Sequence, residues 1–262
     1  MWCRDIKPAK IFGNLYFAGV HEASTHLIDT GDGLIVIDPG YPESLFVVIN
    51  HIWQLGFDPR EIKYIVHSHG HYDHSGATAA LVELTGAKTF IGSRDADMVR
   101  NMQPRTPKFE PAFEPDVLLC DGDKITLGNT EITVYETPGH TDGTLSLFFD
   151  VTDGKTTLRA GMHGGVGFNT LNDEYLAKTG RSPECRRDFL KGLLHVEAQR
   201  VDITLGNHVG QNRTEQKLKA LPTAEKNPFI DSGEWSRFIE KKKSEIIALM
   251  ETENNNNANI AN

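Results

Sequence analysis

The order of predicted elements points to an α/β chain in which two mixed β-sheets pack face to face and carry helices on their outer faces, an αββα sandwich. Strand-like runs followed by helical spacing occur twice along the 262 residues. That length suits one large domain or two small ones, and it is long enough for a substantial buried core. No sequence repeat relates the two halves. We therefore expect a single domain over residues 1–252 and a disordered tail over 253–262, where Asn and Ala dominate.

The first half opens with Leu15-Tyr16-Phe17-Ala18 and Thr25-His26-Leu27-Ile28-Asp29, both short apolar or alternating runs. Gly31-Asp32-Gly33 reads as a turn into the strand Leu34-Ile35-Val36-Ile37-Asp38, which Pro39-Gly40 ends. Over residues 43–55 the apolar positions Leu45, Val48, Ile49, Ile52 and Trp53 fall at helical spacing and are expected in the core. Tyr64-Ile65-Val66 is a short buried strand. Ala77 to Leu84 reads as a helix capped by Ser75 and stopped by Gly86. Thr89-Phe90-Ile91 returns to strand, and the Pro-rich, polar residues 100–116 read as a long loop or lid.

The second half repeats the order. Ile125–Leu127, Ile132–Tyr135, Leu145–Phe149 and Thr157–Arg159 read as strands, and residues 184–199 as a helix. Val201 to Leu205 is the last strand. Residues 234–251 form a polar helix in which Lys241-Lys242-Lys243 reads as a solvated face.

Composition narrows the function classes. With 39% hydrophobic and 24% charged residues the chain is an ordinary globular protein rather than a fibre or a disordered segment. The formal net charge of -9 repels phosphate backbones and argues against general nucleic-acid binding. No apolar run approaches the roughly 20 residues that span a bilayer. The opening Met-Trp-Cys-Arg-Asp-Ile-Lys-Pro lacks the apolar core of a signal peptide, so with Met1 as the start the expected location is the cytoplasm. Cys3, Cys120 and Cys185 are far apart, odd in number and without CxxC spacing, as reduced thiols would be.

The chemistry lies in the histidines. Within His69-Gly70-His71-Tyr72-Asp73-His74 four metal-ligating side chains occupy six positions directly after a buried strand. Neutral imidazole and carboxylate are ligands that zinc prefers. A tight loop can aim alternate side chains at one point and their neighbours at a second, and Gly70 and Gly76 supply the backbone freedom. One segment can thus feed two metal ions. His67 is expected to point back into the strand packing. His140, in Thr137-Pro138-Gly139-His140-Thr141, and His208, after Gly206-Asn207, also follow strands; alone, either would be an ordinary surface or core histidine. His163 reads as an exposed loop histidine, with a hydrogen bond to substrate or an unusual ligand position next to Met162 as the functional alternative, and His21, His26, His51 and His195 carry no functional expectation. Gly164-Gly165-Val166-Gly167 has no following Lys-Ser/Thr, so it is a pocket-edge turn and not a phosphate loop.

These segments resemble the metallo-β-lactamase superfamily over roughly residues 10–210. His69-Gly70-His71-Tyr72-Asp73-His74 matches its HxHxDH motif. Asp38 sits where the family has a strand-terminal aspartate, and the turn around His140 and the segment at His208 match its further metal positions. The resemblance implies two zinc ions per chain, one on His69, His71 and His140 and one on Asp73, His74 and His208. It also implies a hydroxide between them as nucleophile, with Asp73 as the catalytic residue that orients it. Met162 falls where thioesterase and lactonase branches carry a bridging aspartate, which makes the chain most similar to the β-lactamase subclass with His-His-His and Asp-His-His sites.

The expected function is therefore zinc-dependent attack on a carbonyl, of the cyclic amide (β-lactam) kind. The alternatives are hydrolysis of an ester, thioester or lactone metabolite, and metal binding without turnover. The expected partner is a small molecule, with no nucleic acid and no membrane; the oligomeric state is not readable. Asn169, Asn172 and Tyr175 are the polar candidates for the pocket.

Overall fold

The structure, a computed structural model, describes residues 6–260. Cys3 lies outside them. The first half forms β1 (Ala9–Phe12), β2 (Leu15–Phe17), β3 (His26–Asp29), β4 (Leu34–Ile37), α1 (Leu45–Gln54), β5 (Ile62–Val66), α2 (Tyr72–Ser75), α3 (Thr78–Thr85), β6 (Lys88–Gly92), α4 (Ala96–Arg100) and β7 (Val117–Leu119). The second forms β8 (Lys124–Leu127), β9 (Thr130–Glu136), β10 (Leu145–Thr152), β11 (Thr157–Met162), α5 (Asp173–Thr179), α6 (Cys185–Val196), β12 (Ile203–Leu205), α7 (Thr214–Ala220) and α8 (Glu234–Ile260).

Strands β1 to β7 make a seven-stranded sheet in sequence order, and the second sheet runs β12-β11-β10-β9-β8. Both sheets are mixed. Pairing is antiparallel from β1 to β4 and parallel from β4 to β7. In the second sheet only β11 and β12 are parallel. Alternation within the strands builds the layers. Leu145, Leu147 and Phe149 of β10 enter the cluster between the sheets with Phe17, Ile28, Val66 and Leu205, while Phe148 faces outward into a cluster with Phe189, Leu193 and Trp235. Leu27 and Val36 pack the opposite outer face against Ile52 of α1 and Leu81 of α3. The αββα sandwich is the architecture that the order of elements predicted.

Several local expectations differ from the structure. Trp53 is 52% exposed, because α1 turns Val48 and Ile52 rather than Trp53 to the sheet. Ser75 does not cap α3; Ala77 holds that position, and Ser75 Oγ donates to the carbonyls of Gly70 and His71. Gly86 does end the helix, in the left-handed conformation that glycine adopts without penalty. The chain stays helical past Glu253, where a disordered tail was expected, because extending an existing helix costs less than nucleating one. Residues 261 and 262 lie outside the described residues. The short elements β1, α5 and α7 carried too little periodicity to be predicted.

His163 is buried rather than exposed. Its Nδ1 accepts from the Gly165 amide at 3.3 Å, and its ring packs beside Phe189 and Phe238. His26, on β3, is buried beside Phe17 with no partner on either ring nitrogen. Burial holds the His26 pKa down at about 4, against the pull of Asp38. A group whose folded pKa lies below its unfolded value costs stability once the unfolded chain takes up a proton. Metal-free protein should therefore lose stability as pH falls from about 6.5 to about 4. His26→Met, which keeps the volume and removes this one titration, should make that slope shallower in urea denaturation across the same window, the other buried histidines supplying the rest. An unchanged slope would show that His26 contributes nothing to acid sensitivity.

Candidate metal centre

The site gathers at one end of the sandwich, where strands of both sheets finish. Strand β5 ends at Val66 and the chain turns through His67 and Ser68 into His69–His74. After β9 and β11 come the turns carrying His140 and Gly164–Gly167, and after β12 come Asn207 and His208. Sheet ends of this kind leave loops free to present side chains while the sheets stay rigid.

Two groups of donor atoms converge there: His69, His71 and His140, and Asp73, His74 and His208. In the first, His71 Nδ1 lies 3.0 Å from His69 Nε2 and 3.1 Å from His140 Nε2. In the second, His74 Nε2 lies 3.2 Å from His208 Nε2 and 3.4 Å from Asp73 Oδ2, and Asp73 Oδ2 lies 3.6 Å from His208 Nε2. Ligands about 2.0–2.1 Å from a tetrahedral zinc stand roughly 3.3–3.4 Å from one another, so both groups have the size of a zinc site. Each leaves a fourth position for water or substrate.

The outer nitrogens fix which nitrogen faces inward. Ser68 Oγ donates to Asp38 Oδ2 at 2.6 Å, so its proton is committed and it must accept from His69 Nδ1–H at 3.0 Å. His74 Nδ1 donates to the same Asp38 oxygen at 3.0 Å. His140 Nδ1 donates to the Gly167 carbonyl at 2.9 Å, and His208 Nδ1 to the Glu22 carbonyl at 2.6 Å. The inward nitrogens of His69, His140 and His208 thus present lone pairs, and that of His74 presents one once its second proton is displaced.

Charge separates the two groups. Burial, and then the neighbouring histidines, hold His69 well below the usual imidazole range. Burial also brings His71 to about 4 and His140 to about 3, so this triad is neutral. Around His74 burial opposes a charge, yet Asp38 first and then Asp73 raise its pKa to about 10. Burial likewise works against the Asp73 carboxylate, which His74, His208 and His71 hold well below the usual carboxylate range. Two carboxylates around one buried position demand a cation, and a metal ion can take the place of the proton on His74.

Supporting residues hold the loops. Asp95, just past β6, accepts from Gly70 N at 2.8 Å, Gly143 N at 2.7 Å and Thr141 Oγ1 at 2.7 Å, which ties the His69–His71 loop to the His140 turn. Burial pushes its carboxyl pKa up despite these donors. A Cβ on Gly143 would come 2.5 Å from the Asp95 nitrogen, so this approach requires glycine. Arg181 donates to the carbonyls of His140 and Gly139. His67, as expected, turns away and bonds the Phe90 carbonyl and Thr78 Oγ1. Met162 is fully buried in the cluster between the sheets.

A cavity of about 590 Å³ opens over both groups, exposing His71, Asp73, His140 and His208. Gly165, Val166 and Gly167 form one edge, as the glycine-rich turn predicted, with Asn169 and Tyr175 beyond them. Asn172 instead caps α5 by accepting from Tyr175 N. The loop at 100–116 contributes Arg105, whose guanidinium lies 4.3 Å from the Tyr72 ring centre and 5.8 Å from that of Tyr41. Sequence reasoning missed Asp95, Tyr41 and Gln211. For Asp95 the available signal was its place just after a strand, shared with Asp38 and the histidines; Tyr41 and Gln211 have none.

If Asp38 orients a ligand of each group, Asp38→Asn should weaken metal binding at both, by about 10–100-fold. Competition against a chromophoric chelator would resolve the two affinities. A loss confined to one site would break the link drawn through Ser68.

A family model described as the metallo-beta-lactamase superfamily matches residues 18–191. Among solved structures the chain is similar to BJP-1, a subclass B3 metallo-beta-lactamase of Bradyrhizobium japonicum, with 25% identity, a TM-score of 0.85 and 97% of each chain covered. It is also similar to the native FEZ-1 metallo-beta-lactamase of Legionella gormanii, with 26% identity, a TM-score of 0.84, and 95% of this chain and 97% of that one covered. A hydroxyacylglutathione hydrolase of Anaeromyxobacter dehalogenans is 32% identical over 148 residues, 54% of this chain and 50% of that protein. The chain spans about half the length of the curated relatives it matches.

Proposed function

The chain belongs to the metallo-beta-lactamase superfamily, and from that premise we propose that it is a zinc-dependent hydrolase of a small cyclic amide of the β-lactam type. The observation that carries this reading is the pair of donor groups, three neutral imidazoles beside an Asp-His-His set, under one cavity. The likeness to subclass B3 enzymes over nearly the whole of both chains supports it. The cavity volume suits a small molecule. No helix among the described residues is long and apolar enough to cross a membrane.

His69, His71 and His140 would hold one zinc and Asp73, His74 and His208 the other. When bound, zinc supplies Lewis acidity and a water nucleophile active near neutral pH. The chain's own work is positional. Asp38 and the backbone carbonyls of Gly167 and Glu22 keep four imidazoles in the tautomer that offers the inward nitrogen. Asp73, partly open to the cavity, would serve both as a ligand and as the carboxylate that orients the attacking water and takes up its proton. The turn at Gly165 packs directly on the His140 ring: a Cβ there would meet it at 2.8 Å, so the substrate can approach along bare backbone.

A second reading, hydrolysis of a thioester, is favoured by the identity to a hydroxyacylglutathione hydrolase over half of this chain. The two readings share the metal centre and differ in the leaving atom, nitrogen or sulfur. Turnover of a cephalosporin, a lactone and an acyl thioester under one set of conditions separates them, and the cephalosporin should lead.

Elemental analysis of protein purified without chelator should find about two zinc ions per chain. Asp73→Asn keeps shape and loses charge, so kcat should fall at least about 100-fold, the scale of a lost acid–base group. A zinc content near zero after zinc addition would end the hydrolase reading. Activity within a few-fold of the parent would remove Asp73 from the chemistry.

A further inference from the structure

Beyond His208 the chain makes a turn that the hydrolase reading leaves unused. Asn212 and Arg213 there have φ of 49° and 54°, an unfavourable region for two successive residues other than glycine. Asn212 Nδ2 fixes the turn by donating to the Leu205 carbonyl at 3.2 Å. Strain of this kind persists where the surroundings impose it, often around ligands. The turn forms one wall of a cleft of about 500 Å³, and Arg237, Phe238, Lys241 and Lys242 of α8 form the other.

The cleft adjoins the cavity over the metal centre. Gln211 lines both. Lys242 Nζ lies 4.9 Å from the ring centre of Phe168, whose neighbours Gly167 and Asn169 are walls of that cavity.

Its charge opposes that of the chain. Arg213, Arg237, Lys241 and Lys242 line it, against Glu234 alone. Glu234 is already engaged by buried Lys217 at 2.5 Å. Arg237 pairs with Asp231, and Lys241 and Lys242 share the single carboxylate of Glu245. Among the described residues no carboxylate pairs with Arg213. A local excess of cations in a protein of net charge -9 is a site prepared for an anion. The three lysines read from sequence as a solvated helix face thus include two that wall a cleft.

We propose that this cleft is a second binding subsite, which holds a carboxylate or phosphate on the tail of the molecule hydrolysed at the metal centre. The inference rests on the hydrolase reading and adds to it a substrate class: an acyl compound with an anionic arm. The shared wall at Gln211 lets one ligand span both cavities, so binding energy gained on the arm can position the reacting carbonyl.

The test uses the metal-loaded enzyme and matched substrates that differ by one charge. One pair is a 7-glutaryl cephalosporin and its side-chain amide; the other is the acetyl thioester of N-(3-mercaptopropionyl)glycine and that of the glycinamide. The anionic member should be preferred in kcat/KM by about tenfold. The preference should vanish in Arg213→Ala/Lys241→Glu, survive in Arg213→Lys, and collapse at roughly 0.5 M salt, where the Debye length is about 4 Å. Equal turnover of both members by the parent, or a preference that survives the double variant, overturns the proposal.

Calorimetric titration with inorganic phosphate is independent of turnover. It should give saturable binding that weakens about tenfold in the double variant. Phosphate binding that the variant leaves unchanged counts against the cleft. Phosphate binding lost in the variant, with no charge preference among substrates, overturns the tail assignment in favour of a free-anion site. If no acyl substrate is turned over, the hydrolase reading fails, and the phosphate result still decides whether the cleft holds anions.

Discussion

The Asp38 carboxylate is the constraint around which the rest of the centre is arranged. It is buried at the end of β4, in a left-handed conformation with φ of 55°, and it accepts from the Ser68 amide, the Ser68 hydroxyl and His74 Nδ1. Each acceptance has a consequence. The amide bond fixes where the chain leaves β5. The hydroxyl bond forces Ser68 to accept from His69, which aims His69 Nε2 inward. The imidazole bond does the same for His74. One residue of the first half of the chain therefore sets the tautomers of one ring in each donor group. A positive φ is tolerable for aspartate and costs little beside the three hydrogen bonds that it makes possible.

The sandwich explains why such a centre can be assembled from distant segments. Strands β4, β5, β9, β11 and β12 all deliver a loop to the same end, and the apolar layer between the sheets keeps those ends in register. Asp95 then ties two of the loops together beneath the histidines. The donors need no long-range adjustment to converge, because the packing has already placed their backbones.

The two donor groups are electrostatically unlike, and this bears on how each binds a cation. The three neutral imidazoles offer lone pairs in a buried place and no charge. The second group sits between the carboxylates of Asp38 and Asp73, where burial makes an uncompensated negative charge expensive. Beside the cavity the polarity reverses, with Arg213 and the α8 lysines lining a cleft that shares Gln211 with it. A molecule lying across both would meet the two donor groups at one end and side-chain cations at the other.

The sequence by itself determined the layers and the donors. Alternation and helical spacing are local properties, so the strands around Val36, Ile65, Leu147 and Ile203 and the helices α1, α3, α6 and α8 were legible from it. The run His69–His74 was legible because four donors in six positions have few other uses, and His140 and His208 because each directly follows a strand. Only the tertiary structure decided what depends on which distant surfaces meet. It turned His163 inward and Trp53 outward, made Asp38 the partner of both donor groups, brought Asp95 under two loops, and set Arg213 opposite Lys241. Each of these pairs residues far apart in the chain, and no local periodicity records such a meeting.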